Sequence, residues 1–459
     1  MFASRYPGHT RFAFRSGVTC LTTGAGAVLL KPPHSEKLAR LTPQQTKALK
    51  YLNAGPGSVT ELAEGAAPAD TRGIEALIDH LATRGYLTVT VCDEGTDLYS
   101  IVPFGQPPAR PAPMPDGSIM SKFSVLHSDS DSLVLENPLG WCDVRIHQPR
   151  LLPLLGGRAS DCPDLPATVA AQFVDDLRWA GVLVGPEQEN SSFEALSWSA
   201  PDLWFHRRST LGQRTLTWDD FGPTKWAKGR FAQPPGRRRA YPGEPVALPV
   251  PDLAARRSQD PPLAAVIEDR VTTRTFDDER PITAAQLGEL LYRTARTRAT
   301  QAVDAGEELL SRPYPSGGGL YELEVYPVVR SVAGLEPGVY HYDSFDHALH
   351  RVAAADAPAT SQLIRPAAAT LSGGAEPQVL LVIAARGGRL MWTYEQIAYA
   401  TILKNVGVLM QTIYLAATAM GLGVCAQGFS DTAAFTAATG VDERQECSVG
   451  SIIVGSRIP

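Results

Sequence analysis

RPYPSGGGLYELEVY, residues 312–326, places three consecutive glycines, Gly317–Gly319, between a proline-rich lead and an apolar run. Without Cβ atoms, such a loop lets backbone approach a flat ligand closely. Ser316 adds a hydroxyl. The run that follows, Leu323–Val329, alternates as a strand. No Lys-Ser/Thr pair follows the glycines, so this is not a P-loop, and the spacing is not the GxGxxG of dinucleotide folds. Taken alone, the segment reads equally well as a tight turn before a strand.

Upstream stands RVTTRTF, residues 270–276. In extended backbone, alternate residues share a face, so Arg270, Thr272 and Arg274 present two guanidinium groups and a hydroxyl together. That set suits a phosphate monoester, although a charged exposed loop has the same composition. Thr283 is a plausible N-cap for a helix carrying Leu287, Leu290 and Leu291. Downstream, Val379–Ala384 is a short buried strand. A long helix should run from about Tyr394 to Met420, on a stripe of Ile402, Val406, Leu409, Ile413, Ala417 and Met420. Its head, WTYEQIAYATILKNVG (392–407), offers Tyr394, Glu395, Tyr399 and Lys404. AQGFSD (426–431) follows the glycines that end the helix, a last strand spans Ser451–Val454, and GSR (455–457) places Arg457 near the terminus. This is an α+β layout.

The first half carries a repeat. LIDHLATRGYL (77–87) and FVDDLRWAGVL (173–183) align at a constant offset, each an amphipathic helix closed by a glycine and then a short strand. Thr42-Pro43-Gln44-Gln45 has the form of a capping box with proline at N1, opening a helix from Pro43 to about Leu52. Strand, helix, helix, strand is a winged-helix order. The expected organisation is therefore a winged-helix-like module over 1–110, a second over 118–200, a linker over 201–255 and a separate domain over 256–459. Proline-rich FGQPPARPAPMPDG (104–117) joins the modules. The irregular stretch from about Gly222 to Asp260 reads as a connector, with Arg237–Arg239 as a solvated face. Asp79 and Asp175–Asp176 sit on the helix before each wing and neither copy is basic, which argues against DNA and for a peptide-binding or structural role.

Composition agrees with a multidomain globular protein: 459 residues, 44% apolar, 20% charged, net charge −6. That charge gives no drive towards nucleic acid or anionic membrane. The six cysteines form no CxxC pair or zinc-type cluster, so no metal is expected, and scattered thiols suit a reduced, cytoplasmic setting. MFASRYPGHTRF (1–12) lacks an apolar core for a signal peptide. The apolar stretch Val406–Cys425 is interrupted by Gln411, Thr412 and Thr418 and reads as a core helix rather than a membrane span.

In their order and company these motifs resemble the nitroreductase superfamily of FMN enzymes, over about residues 256–459. RVTTRTF is similar to that superfamily's opening phosphate segment. RPYPSGGGLYELEVY, GVYHYD (338–343) and MWTYEQIAYATILKNVG…AATAMGLGVCAQG resemble the azoline oxidases of thiazole/oxazole-modified peptide pathways, as does DLWFHRRSTLG (202–212). The resemblance implies FMN as cofactor, its phosphate held by Arg270, Thr272 and Arg274 with Arg457 as helper. It implies that Pro315, Ser316, Gly317 and Gly318 lie along the isoalloxazine, with Gln427 and Gly428 near its reactive edge. It also implies a homodimer, a precursor peptide bound by leader-recognition modules, and a cyclodehydratase partner. The azoline oxidases carry a Lys-Tyr pair at the head of the long helix; here the pair is Thr393-Tyr394. Threonine has no group that titrates in the working range, so Tyr394 is the candidate acid/base, alone or aided by Lys404 or another group. A phenol in water ionises near pH ~10 and would need help or a relaying water. Two other readings stay open: an NAD(P)H-dependent flavin reductase or nitroreductase, and a non-catalytic peptide-binding scaffold.

Overall fold

The computed structural model describes residues 9–23, 26–31, 34–112, 117–162, 165–212, 214–303 and 306–458. Residues 1–8, read above for a signal peptide, and 113–116 of the proline-rich segment lie outside them. The chain divides into two compact units between Phe221 and Gly222.

In the first unit, β1 (Thr10–Phe14) precedes a meander of β2 (Thr19–Thr23), β3 (Gly26–Lys31) and β4 (His34–Ala39). Thr42 opens α1 (Pro43–Ala54) with the expected reciprocal cap, its hydroxyl accepting from Gln45 N while the Gln45 side chain accepts from Thr42 N. β5 (Gly57–Ser58), α2 (Val59–Leu62), α3 (Pro68–Thr83) and the hairpin β6 (Leu87–Asp93) and β7 (Thr96–Pro103) complete the first copy. The second copy runs through β8 (Ile119–Met120), β9 (Val125–Asp129), β10 (Ser132–Glu136) and β11 (Cys142–Ile146), then α4 (Ala167–Trp179) and β12 (Leu183–Val184). The repeated stretch folds alike in both. Tyr86 N donates to Leu81 O and Val182 N to Leu177 O, across glycines at φ +71° and +76°. This is a helix end that only a residue tolerant of left-handed backbone closes cheaply.

Around that stretch the copies diverge. The second has 3₁₀ turns at Pro149–Gly156 and Ala159–Asp161 where the winged-helix order calls for a helix, and Pro153 inside the first turn withholds an amide. Its hairpin is reduced to β12, paired with β8. The copies also do not stand apart. One sheet of order β5-β1-β6-β7-β11-β10-β9 joins them through β7 and β11, and one core holds Phe12, Leu49 and Ile78 together with Leu135, Phe173 and Leu177. The expected boundary at 110–118 thus falls inside a single unit. Part of the expected linker closes that unit as well, in α5 (Phe193–Ser197), α6 (Ala200–Arg208) and α7 (Trp218–Phe221). Trp204 Nε1 donates to Glu136 at 3.1 Å, Arg208 pairs with the same carboxylate, and Arg214 grips Asp143 at 2.6 and 2.8 Å. Burial raises the Glu136 carboxyl, but Arg208 and Arg214 more than offset this and hold it below its ordinary range.

The second unit opens with an irregular strap, residues 222–245, then β13 (Val246–Ala247), α8 (Leu253–Gln259), α9 (Leu263–Asp269) and α10 (Ala284–Ala295). β14 (Ala299–Ala302) and β15 (Glu308–Ser311) lead to the glycine turn. The remaining elements are β16 (Leu323–Val329), β17 (Gly338–Asp343), β18 (Ala348–Ala354), α11 (Pro358–Ala368), β19 (Val379–Ala385), α12 (Gly387–Met391), α13 (Ala398–Ala419), β20 (Leu422–Gln427), α14 (Thr432–Thr439) and β21 (Cys447–Ser456). The antiparallel sheet runs β13-β18-β17-β16-β19-β21-β20. α10 and α13 cover one face and α11 and α14 the other. A strand between two helical layers is buried on both sides, which is why VLLVIAA in β19 is apolar without alternation: Leu381 and Ile383 face α13, Leu380 and Val382 the opposite layer.

The stripe on α13 is buried from Ile402 to Ala417, with Ile402, Leu409, Ile413 and Ala417 at 0–1% exposure, while Met420, just past the helix, is half-buried. Truncating such a residue costs about 2–5 kcal/mol. The helix begins at Ala398 rather than Tyr394 because the backbone before it is committed elsewhere: Thr393 O accepts from Thr224 N, and Glu395 N donates to Gly222 O. The arginine run is not a solvated face throughout. Arg237 pairs with Asp343 and Asp346, and Arg238 with Glu446 at 2.8 Å.

Candidate functional site

The segment 270–276 lies flat across the end of β20 and β21. Thr273 N donates to Val424 O at 2.8 Å, Arg274 O accepts from Ser372 N at 3.1 Å, and buried Phe276 packs on Gly423 and Gly455. A Cβ on Gly455 would come within 2.6 Å of the Phe276 ring, so glycine is required for this closeness. Thus pinned, the segment brings Arg270 and Thr272 to one side chain. The Thr272 hydroxyl is 3.2 Å from the Tyr414 hydroxyl, and the Arg270 guanidinium stands 5.4 Å over the Tyr414 ring. Tyr414 in turn accepts from Ala426 N at 2.9 Å. Arg274 is exposed. Among the described residues no carboxylate pairs with Arg270, Arg274 or Arg457, and the Arg457 Nε is buried with no hydrogen-bond partner. Arg457 follows Ser456, which is bonded to Asp277 through N–H···O at 3.3 Å and Oγ···O at 2.9 Å, so both cationic segments leave the same sheet edge.

The glycine loop follows β15. Gly318 and Gly319 have φ of +63° and +66°, a region closed to most side chains. A Cβ on Gly317 would meet the Thr401 methyl at 2.5 Å, and one on Gly318 the Tyr394 hydroxyl at 2.8 Å. The loop is thus pressed against the head of α13 and against the candidate acid/base. Behind it lies a polar knot. Asn405 Nδ2 donates to Glu322 Oε1 at 2.9 Å and to Ser316 Oγ at 3.1 Å, while Asn405 Oδ1 accepts from Gly317 N at 3.3 Å. The Ser316 hydroxyl reaches Glu322 Oε2 at 3.3 Å and accepts from Tyr321 N, itself at φ +51°. Glu322 is fully buried, and burial holds its carboxyl above the usual range against these donors. Arg389, also fully buried, donates to the carbonyls of Leu320, Pro234 and Glu308; burial lowers it to about 10.

Tyr394 is half-buried in the turn between α12 and α13, its amide donating to Leu390 O at 2.8 Å and its backbone bridging Pro223. Thr393 stands beside it, and Lys404 is exposed on α13. Gln427 takes a different position from that expected. Its side chain is bound to Thr370 Oγ1 at 2.9 Å and donates to Cys425 O, on the α11/α14 face of the sheet and away from α13. Strand alternation explains this, since Gln427 and Cys425 share a face of β20 while Ala426 lies on the other. Gly428 is exposed where β20 ends. Sequence reading passed over Tyr414, Asn405, Glu322 and Arg389. A polar residue on an otherwise apolar helical stripe was the available sign for Asn405, and a charge directly before an apolar strand for Glu322. Among the described residues no group of His, Cys, Asp and Glu side chains is arranged to hold a metal.

Residues 267–456 match the model of the nitroreductase family, and this part of the second unit is a nitroreductase-family domain. MJ1384 of Methanocaldococcus jannaschii, a protein named for its likeness to nitroreductases, is 28% identical over 186 residues, 40% of this chain and 85% of that one. Among solved structures, a nitroreductase-like protein of Ralstonia eutropha is 24% identical, covering 49% of this chain and 95% of its own at a TM-score of 0.37. The E. coli microcin synthetase McbBCD complex with truncated pro-MccB17 bound is 19% identical, covering 56% and 86% at a TM-score of 0.34.

Proposed function

We propose that this chain, through its nitroreductase-family domain, is an FMN-dependent dehydrogenase that oxidises thiazoline or oxazoline rings to azoles in a ribosomally made peptide. The observation that carries the reading is the Tyr394 hydroxyl against Gly318, an acid/base placed on a glycine loop of open backbone. The residues fit FMN. Arg270, Arg274 and Arg457 lack carboxylate partners among the described residues, the Arg457 Nε is buried and unbonded, and Thr272 adds a hydroxyl, the donor chemistry a phosphate monoester takes. Pro315–Gly318 would line the ring system, and Gly428 lies exposed beyond β20. FMN, when bound, supplies a two-electron acceptor for the substrate carbon's hydride.

The chain's own residues handle the proton. Aromatising an azoline removes one hydrogen as hydride and one as a proton from carbon, and Tyr394 is the group that relays the proton to water. Thr393 can orient but not titrate. The family likeness alone supports only an oxidoreductase; the azoline reading rests on the motifs at 312–326, 338–343 and 391–428.

The first unit is the peptide-binding part in this reading. It offers a cleft of about 720 Å³ lined by Lys31, His34, Glu36, Arg84, Tyr86 and Phe104, mixed in charge. The domain forms a homodimer, for which the exposed apolar residues Leu263, Ile267, Tyr399 and Leu403 on the adjoining α9 and α13 are suited. A cyclodehydratase supplies the azoline substrate.

The test begins with the visible spectrum of the purified protein and the mass of any heat-released ligand. Bound FMN, followed by loss of two hydrogens from an azoline peptide under aeration, is the expected result. Rapid flavin bleaching by NADPH with azolines untouched would instead favour a reductase. A colourless protein that refuses added FMN would overturn both and leave a peptide-binding scaffold.

A further inference from the structure

The strap 222–238 lies outside the family-matched residues, yet it makes a dense set of bonds to the turn that carries Tyr394. Thr224 is the centre of this. Its amide donates to Thr393 O at 2.9 Å and its hydroxyl to Met391 O at 2.8 Å, and the residue is only 5% exposed. On one side of it Pro223 bridges Tyr394 and Gly222 O accepts from Glu395 N at 2.8 Å. On the other, Phe231 O accepts from Trp392 Nε1 at 2.9 Å, and Pro234 O from Arg389 at 2.6 Å. Every residue from Met391 to Glu395 has a strap atom bonded to it or bridged with it. These five residues belong to no helix beyond the last residue of α12 and no strand; the amides of Trp392, Thr393 and Tyr394 bond back to Gly388 O and Leu390 O, while the carbonyls of Met391 and Thr393 are taken by the strap.

We infer that Thr224 is a positioning residue for Tyr394: by holding Met391 O and Thr393 O from one residue, it sets where the Tyr394 hydroxyl stands over Gly318. The energetic reason is that the Thr224 hydroxyl, in a residue only 5% exposed, costs about 1–3 kcal/mol if left unbonded, so the turn keeps Met391 O within its reach while the strap is in place. A Tyr394 hydroxyl displaced by even an ångström loses its register with the loop, and proton transfer demands hydrogen-bond reach. The catalytic meaning of this position rests on the reading of Tyr394 as acid/base; the position itself does not.

The test separates the two. The full chain is labelled with 3-fluorotyrosine and the Tyr394 resonance is assigned by its loss in Tyr394→Phe. Thr224→Val, which keeps shape and amide but removes the hydroxyl, should shift or broaden that resonance while the other tyrosines stay put. Thr224→Ser, which keeps the hydroxyl, should restore it. Arg237→Met, which breaks the strap's pairs with Asp343 and Asp346, neither of them in the turn, should leave it unmoved. If Thr224→Val is too unstable to record, Thr224→Ala reads the same resonance. An unchanged Tyr394 signal in the hydroxyl-less variant, or an equal shift in Thr224→Ser, would overturn the inference. A shifted signal in a protein that oxidises no azoline would leave the inference standing and remove the proposed reaction.

Discussion

The Tyr394 hydroxyl lies 2.8 Å from the point where a Cβ on Gly318 would stand, and Gly318 holds a φ of +63°. Both facts forbid a side chain there, and for different reasons. Gly318→Ala should therefore lower stability by about 1–2 kcal/mol from left-handed strain alone, and also push Tyr394 outward. The expected outcome is a lower Tm together with a large loss of turnover. Gly319→Ala, at similar φ but with its nearest neighbours at an ordinary 3.7 Å, should lose stability and keep most turnover. Thermal melts beside kcat measurements distinguish them, and equal kcat losses would contradict this assignment.

Arg270 and Arg274 should matter to FMN retention more than to folding, since neither is paired with a carboxylate among the described residues. Changing both to alanine should weaken FMN binding by two orders of magnitude or more, at about 1.5–3 kcal/mol for each charged hydrogen bond. Tm of the flavin-free protein should hardly change. Titration of FMN fluorescence in the parent and the double variant gives the ratio. Retention of parental affinity would remove these residues from the phosphate site.

How much of this was legible beforehand differs by kind of signal. Periodic and local features could be read: the α13 stripe, the Thr42 capping box, and the glycine ends of the repeated helices, since each is set by a few neighbouring residues. What failed depended on distant partners. Nothing local in 222–238 shows that its carbonyls will serve Arg389 and Trp392, so a strap reads as a connector. The second winged helix failed for a related reason: its strands joined the first copy's sheet, and pairing between β7 and β11 is invisible to a repeat alignment. Gln427 was placed by motif order, which fixes a strand but not which face its side chain takes.

Glu322 is buried with no ion pair among the described residues, the nearby Arg312 only partly offsetting its burial, and should titrate to the protein's cost. Its folded carboxyl is raised, so folding favours the protonated form. Stability from this group is fully present below the unfolded carboxylate range and falls as pH rises through the raised value. Glu322→Gln, which stays neutral, should flatten that decline, making the variant relatively more stable towards neutral pH. Glu322→Ala removes the same titration, but at acid pH it should cost about 2–4 kcal/mol by leaving Asn405 Nδ2 short of an acceptor beside a cavity. Urea midpoints between pH 4 and 8 report both.

Glu324, two residues on and inside β16, presents the opposite sign. It too is buried, and burial alone would raise it, but His341 Nε2 at 3.1 Å together with Arg312 and Arg386 brings it down to about 2. Stability contributed by a lowered carboxyl is present above its unfolded range and disappears as pH falls through the folded value, here between about 4.5 and 2. Glu324→Gln should leave Arg312 and Arg386 less compensated and lower stability at neutral pH by about 3–5 kcal/mol, the usual cost of breaking a buried pair. The gap between parent and variant should then close on acidification, because the parent loses its carboxylate while the variant has none to lose. The pair of variants gives a sharper result than either alone: parent-minus-variant stability should grow with pH for Glu324→Gln and shrink with pH for Glu322→Gln. Finding the same sign for both would show that the two carboxyls, adjacent on alternate residues of one chain segment, do not sit in the opposed environments described.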